Sequence, residues 1–148
     1  MLTGQYDSSR SRIDKSGGFY ITHKEHDRIK NPDVDKSDIA ADILARKGYK
    51  VYLDSEKSYI EYDKKPDGRI YRSVMDIKTI NSTGSRTIQN GLQDAEEQTA
   101  TIAILMQNTP KMTRVYVEDQ IKGYWNKGGK IKEIIVVGMS GRIHRHKK

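Results

Sequence analysis

The sequence contains no cysteine, which excludes disulfides and thiolate metal sites and leaves the chain indifferent to redox compartment. No apolar run approaches the ~18–20 residues of a membrane span. The first residues lack the apolar stretch of a secretory signal, so any export is expected to depend on a larger parent polypeptide. Negative charge is in deficit: 27 Lys and Arg stand against 20 Asp and Glu, which leaves +7 with the histidines neutral and a pI of about 9.5. That excess suits a polyanionic partner, nucleic acid first and an acidic protein or anionic membrane second. A basic surface that merely keeps the chain soluble reads the same way. With 148 residues, 34% of them hydrophobic, the chain can bury one core of ordinary size.

Residues 1–16 are polar, rich in Ser, Arg and Asp and without period, and read as a flexible leader or linker. The domain proper is expected over 17–148. A short strand is predicted at Phe19–Ile21, then a helix over Asp33–Lys47 with Ile39, Ile43 and Leu44 on one stripe, Asp35 or Ser37 as cap and Gly48 as stop. Strands follow over Tyr49–Asp54, Ser58–Tyr62 and, after the turn Asp63–Gly68, Arg69–Ile80. A helix over Arg86–Gln98, an apolar central strand over Thr99–Gln107 and a helix over Lys111–Lys127 precede a hairpin of Lys130–Val137 with Arg142–His146. The fold class is α/β, a mixed β-sheet flanked by helices.

The chemistry concentrates in Pro66-Asp67-Gly68 and, further on, Asp76-Ile77-Lys78. Side chains two apart on a strand share a face, so Val74, Asp76 and Lys78 point one way while Met75, Ile77 and Thr79 point the other. A divalent cation takes hard oxygen ligands, and a phosphoryl transition state needs its charge met and its attacking water oriented. Asp67 and Asp76 supply such ligands for Mg²⁺ or Mn²⁺, and Lys78 is suited to hold the water or the scissile phosphate. Pro-Asp-Gly is also an ordinary turn, and Asp-x-Lys occurs on any exposed strand face.

Taken in order, Ala41-x-x-Leu44-Ala45-x-x-Gly48-Tyr49-x-Val51, Pro66-Asp67-Gly68, Met75-Asp76-Ile77-Lys78, Ser85-Arg86-Thr87-Ile88, Ala95-x-x-Gln98 and Glu133-Ile134-Ile135-Val136-Val137 resemble a known pattern. It is that of the PD-(D/E)XK nuclease superfamily, a restriction-endonuclease-like core. More closely, the chain from Gly17 onward resembles the C-terminal toxin domain of CdiA proteins, the tRNA nucleases of contact-dependent growth inhibition, related to domains on phage head-morphogenesis and other polymorphic-toxin proteins. The resemblance implies a tRNA-cleaving endonuclease acting in the cytoplasm of a target bacterium, after delivery within a larger secreted or mobile-element protein, and an immunity protein as partner. It also implies catalytic roles for Asp67, Asp76 and Lys78. This chain carries Asp76 where the pattern has Glu, and at the position of the first-helix Glu it carries Ser37 and Asp38, which makes Asp38 the fourth catalytic candidate. The alternatives are a catalytically silent nucleic-acid or partner-binding module of a phage or mobile element, and a DNase of the same fold.

Ser82, Ser85, Arg86 and Thr87 stand at an expected helix N-terminus, where backbone amides and the helix dipole attract phosphate; plain capping by Ser85 fits equally. Gln98 is suited to hydrogen-bond a phosphate or Lys78, or to satisfy helix-end carbonyls. Asp38 shares a helix side with Asp42, and an Asp42–Arg46 ion pair at i,i+4 explains that face without catalysis. His23 and His26 lie beside Glu25 and Asp27 and read either as a metal or acid–base pair or as exposed loop residues. The tail Arg142–Lys148 suits a phosphate backbone or a charge-guarded edge strand, and Tyr124-Trp125 reads as helix core or as a base-stacking pair. A basic nuclease endangers its producer, so an acidic immunity protein is expected to contact Lys64, Lys65, Arg69, Arg72 and Arg86.

Overall fold

In a computed structural model the described residues are 5–27, 29–55 and 65–148. They form strands β1 (Tyr6–Ile13) and β2 (Phe19–His23), helix α1 (Ser37–Arg46), and strands β3 (Lys50–Leu53), β4 (Gly68–Ile70) and β5 (Ser73–Ile80). Helix α2 (Thr87–Glu97), β6 (Ile102–Gln107), α3 (Arg114–Asn126), β7 (Glu133–Val137) and β8 (Ile143–Lys147) complete the order. All the strands join one mixed sheet in sequence order, with β2–β3, β5–β6 and β6–β7 parallel and the other neighbours antiparallel. The mixed α/β class is as expected, but at eight strands among the described residues the sheet is much larger than a PD-(D/E)XK core. No helix among the described residues is long and apolar enough to cross a membrane.

The two faces are covered by different helices. Helix α1 buries Ala40, Ala41, Leu44 and Ala45 against Val51, Leu53, Met75, Ile77, Ile104 and Ile135. Helices α2 and α3 bury Ile88, Leu92, Ala95, Val117, Ile121 and Tyr124 against Ile80, Ala103, Leu105, Ile134 and Val136. β6, buried at every position but its last, runs between both layers, as its unbroken apolar sequence requires.

Several sequence expectations need correction. The buried stripe of α1 is its alanines with Leu44, and Ile39 is exposed; small side chains let the helix lie close to the sheet. Gly48 does end the helix, with φ of 93°, a conformation that costs glycine little. Part of the expected leader is the edge strand β1, paired to β2 and tied by Ser11, which donates to the Asp7 carbonyl and accepts from the Thr22 amide. The single strand expected over Arg69–Ile80 is instead the hairpin β4–β5, closed by Tyr71 and Arg72 between the paired Ile70 and Ser73. Tyr71 takes φ of 54° there, a turn no Gly or Asn announces. Thr99, at φ 67°, ends α2 rather than starting β6. The strand expected at Ser58–Tyr62 lies outside the described residues.

Candidate active site

The β4–β5 hairpin sets the site. Along β5, Met75 and Ile77 enter the α1 layer while Val74 and Ile80 pack in the α2–α3 layer, so Asp76 and Lys78 face α2, as the alternation predicts. Asp67 immediately precedes β4, where it meets Asp76 across the hairpin. The Asp67 amide donates to Asp76 Oδ1 at 3.1 Å, and the Ile77 amide donates to Asp67 Oδ2 at 2.8 Å. Each aspartate is thus oriented by backbone on the other's strand. Gly68 lets β4 lie close against β3: a Cβ there would stand 1.7 Å from the Tyr52 carbonyl oxygen, so the glycine of Pro66-Asp67-Gly68 serves strand pairing as well as the turn.

Asp76 is 2% exposed. The Lys78 ammonium lies 2.8 Å from its Oδ2, an ion pair without the alignment of a hydrogen bond. Asp94 of α2 holds the same ammonium from the other side, and Gln98, one turn on, donates to Asp94 Oδ2 at 2.9 Å. Burial pushes the Lys78 pKa down, but the facing carboxylates outweigh it and hold the ammonium above its ordinary value. Lys78 is therefore a charged group at neutral pH, fixed between two carboxylates. Gly91 admits its stem against α2: a Cβ there would lie 3.6 Å from Lys78 Cγ.

No protein-family model matches the chain, and no curated protein matches it. Its fold is found in a CdiA toxin–immunity complex. That solved structure, the CdiA-CT/CdiI toxin and immunity complex from Burkholderia pseudomallei, has a chain that matches with a TM-score of 0.61 and 20% identity, over 86% of this chain and 98% of that one. At 20% identity the likeness is one of fold, and it agrees with the CdiA toxin-domain fold expected from the sequence rather than with the PD-(D/E)XK core.

The remaining candidates divide. Gln98 joins the site through Asp94. Asp94 carries no motif of its own; its i,i+4 spacing to Gln98 on the helix that follows Asp-x-Lys is the signal that points to it. Asp38 does not join Asp76 and Lys78: it lies on α1, across the sheet, where it and Asp42 flank Tyr20, whose hydroxyl is held up first by burial and then by these carboxylates. Asp42 pairs with Arg46 at 2.8 Å. The acid near α1 that shares a cleft with Asp67 is Asp35, in a cavity of about 370 Å³ lined also by His26, Asp27, Lys30 and Ser37. Asp35 Oδ1 accepts from the Ser37 amide at 3.0 Å, so one carboxylate both organises the start of α1 and faces the cleft. His26 is buried, 7% exposed, rather than a loop residue in water. Its Nδ1 lies 2.8 Å from the Asp54 carbonyl oxygen; a carbonyl only accepts, so that nitrogen carries the hydrogen. His23 Nδ1 instead accepts from the Glu25 amide.

The loop before α2 is built on α3. Tyr116 donates to the Gly84 carbonyl at 2.6 Å and Gln120 to that of Ser85 at 2.8 Å. Arg86 rather than Ser85 holds the cap position and makes no side-chain cap, while Thr87 Oγ1 accepts from the Gly84 amide. Ser82 is exposed. Arg86 lines the outer groove between α2 and α3 with Glu96, Tyr124 and Lys127, away from the carboxylates. Tyr124 is core, and the half-buried Trp125 packs against the same cluster and donates to the Ile131 carbonyl, which favours the helix-core reading.

The donor set suits a hard cation. Asp67 and Asp76 are carboxylates, and Asp76 Oδ2 is a buried oxygen with no aligned hydrogen-bond donor. Among the described residues no group of three or more His, Cys, Asp or Glu forms a fuller cage, and Mg²⁺ commonly binds through one or two carboxylates with water and phosphate oxygens completing its shell.

Proposed function

We propose that this chain is a metal-dependent ribonuclease with tRNA as its substrate, the toxin module of a contact-dependent inhibition or polymorphic toxin system, restrained by an immunity protein. The observation that carries the catalytic part is the junction of Asp67, Asp76 and Lys78 at one hairpin, with Lys78 kept charged by Asp76 and Asp94. The toxin part draws on the shared fold with a chain of the CdiA-CT/CdiI complex, and tRNA on the resemblance of the sequence motifs.

Asp67 and Asp76 would hold Mg²⁺ or Mn²⁺, which supplies positive charge to the phosphate and lowers the pKa of a bound water. Lys78 faces the negative charge that grows on the phosphoryl oxygens as water attacks phosphorus and the ester oxygen leaves. Asp94 and Gln98 hold the lysine in place, so little reorganisation is needed when that charge develops. Action in the cytoplasm of a target cell follows from this reading.

The test is incubation of the purified chain with total tRNA and with plasmid DNA, in Mg²⁺, in Mn²⁺ and in EDTA. Metal-dependent cleavage of tRNA supports the proposal; cleavage of DNA alone makes it a DNase, and intact substrates in every condition leave a binding module. Cleavage that persists in EDTA and is lost in His26→Ala would move the chemistry to the cleft beside Asp67.

A further inference from the structure

A cavity of about 480 Å³ lies away from the carboxylates, between α3 and the β7–β8 hairpin. Met112, Val117 and Val136 contribute apolar surface, and Arg114, Arg142, His144 and His146 contribute cationic and hydrogen-bonding groups. Arg114 is paired with Glu118 at 2.9 Å. Arg142 has no ion-pair partner and His144 no side-chain hydrogen bond among the described residues. Burial holds the His146 imidazole below its usual pKa despite Glu118, and Arg142 is a guanidinium of the cavity without a carboxylate partner among the described residues.

We infer that this cavity takes one unpaired nucleotide of an RNA chain, with the base on the Met112, Val117 and Val136 floor and its phosphate on Arg142 and His144. A cation beside an apolar floor matches a nucleotide, which couples an anion to a flat ring. An acidic side chain brings charge but nothing to cover the floor. Sheet register relates the cavity to the catalytic candidates: Lys78 pairs with Leu105, Leu105 with Val136 and Val136 with His144. Lys78 and His144 therefore stand on one row and one face of the sheet, three strands or about 14 Å apart. A single RNA molecule is large enough to reach both. The inference rests on the ribonuclease reading for its substrate, and it adds a contact outside the cleavage centre.

Binding, measured apart from cleavage, tests it. In a Lys78→Ala background, fluorescence anisotropy follows a labelled single-stranded RNA oligonucleotide across a salt series. Adding Arg142→Ala and His144→Ala is expected to weaken binding by roughly tenfold and to flatten the slope of log K against log salt by about 0.7 for the lost phosphate contact. Lys15→Ala, in the β1–β2 loop, should change neither. RNA affinity unmoved by the paired change, or no RNA binding at all, overturns the inference, as does polyglutamate binding that needs Arg142 and His144 when RNA binding does not. Cleavage by the unmutated chain is a separate readout: its absence would sink the ribonuclease reading, while Arg142-dependent RNA binding would leave the nucleotide cavity standing.

Discussion

Asp67 and Asp76 lock one another's strands: the amide of the first donates to the carboxylate of the second at 3.1 Å, and the carboxylate of the first accepts from Ile77 at 2.8 Å. The same two oxygen-bearing groups are thus asked to pin the hairpin and to serve chemistry. Asp76→Asn keeps the volume and an acceptor for the Asp67 amide but loses the charge facing Lys78. It is expected to fold, with a melting temperature close to the parent, and to cleave at least ~10²-fold more slowly, the scale of removing one electrostatic contributor. Asp76→Ala should be as inactive and also less stable by about 1–3 kcal/mol, because the Asp67 amide loses its acceptor. Full activity in either variant would remove Asp76 from the site.

Asp94→Asn isolates the electrostatic role of α2. Lys78 is held above its ordinary pKa because two carboxylates outweigh burial, so neutralising one lets burial count for more and the lysine titrates lower. The alkaline limb of the pH–rate profile should move to lower pH, while the acid limb stays. In stability, a group raised on folding contributes fully below the ordinary lysine pKa of about 10.4 and loses that contribution as pH rises through the folded value. The alkaline loss of stability should therefore shrink in Asp94→Asn. An unchanged alkaline limb would show that Asp94 does not govern Lys78.

Strand alternation made Asp76 and Lys78 legible as a pair, because a half-buried strand must send alternate residues to different layers. The local hint of Asp94 is only its i,i+4 spacing to Gln98; that it reaches Lys78 depends on α2 crossing back over β5, a tertiary fact that spacing does not carry. β1 was missed because pairing uses backbone groups that polar residues also carry, and an edge strand needs no apolar face to pair. The hairpin at Tyr71-Arg72 was missed because the usual signal of a tight turn is Gly or Asn at positive φ, and here Tyr71 bears that conformation. In α1 the period was right and the stripe wrong, since alanines weigh little in a hydrophobic pattern yet pack where space is smallest.

The far wall of α2 offers a pH test of stability independent of catalysis. The Tyr124 hydroxyl donates to Glu96 Oε1 at 2.5 Å, and the Lys130 amide donates to the same oxygen at 2.6 Å. Burial opposes the Glu96 charge, but these donors and the nearby lysines outweigh it and hold its pKa below the ordinary value. Tyr124 is pushed up to about 12 by burial and by the bond to Glu96. A depressed carboxylate stabilises the fold above its unfolded pKa, about 4.3, and loses this as pH falls through the folded value. Tyr124→Phe should cost about 1–2 kcal/mol at neutral pH, the scale of a hydrogen bond to a charged group, and should flatten the acid loss of stability. Parallel pH–stability curves for parent and variant would show that Glu96 is held by other groups.

An immunity partner of the kind proposed would leave a kinetic signature. The chain carries +7, and an acidic inhibitor is steered toward it by charge, with association fast at low salt and slower as ions screen beyond about 8–10 Å. Among the basic residues first expected at the contact, Arg69 is spoken for: it makes two hydrogen bonds to Asp54 at 2.8 and 2.9 Å and lies over the Tyr52 ring. Reversing its charge would break an internal pair and confuse the measurement. Arg86 lines the outer α2–α3 groove, and Lys64 is outside the described residues. Lys65 and Arg72 remain, both exposed near the β4–β5 hairpin that carries the carboxylates. Lys65→Glu with Arg72→Glu should slow association by roughly tenfold at low salt and converge with the parent at high salt, since electrostatic complementarity acts mainly through the on-rate. Stopped-flow rates that ignore ionic strength, or a cognate inhibitor that proves basic, would rule out this mode of capture and leave shape alone to explain recognition.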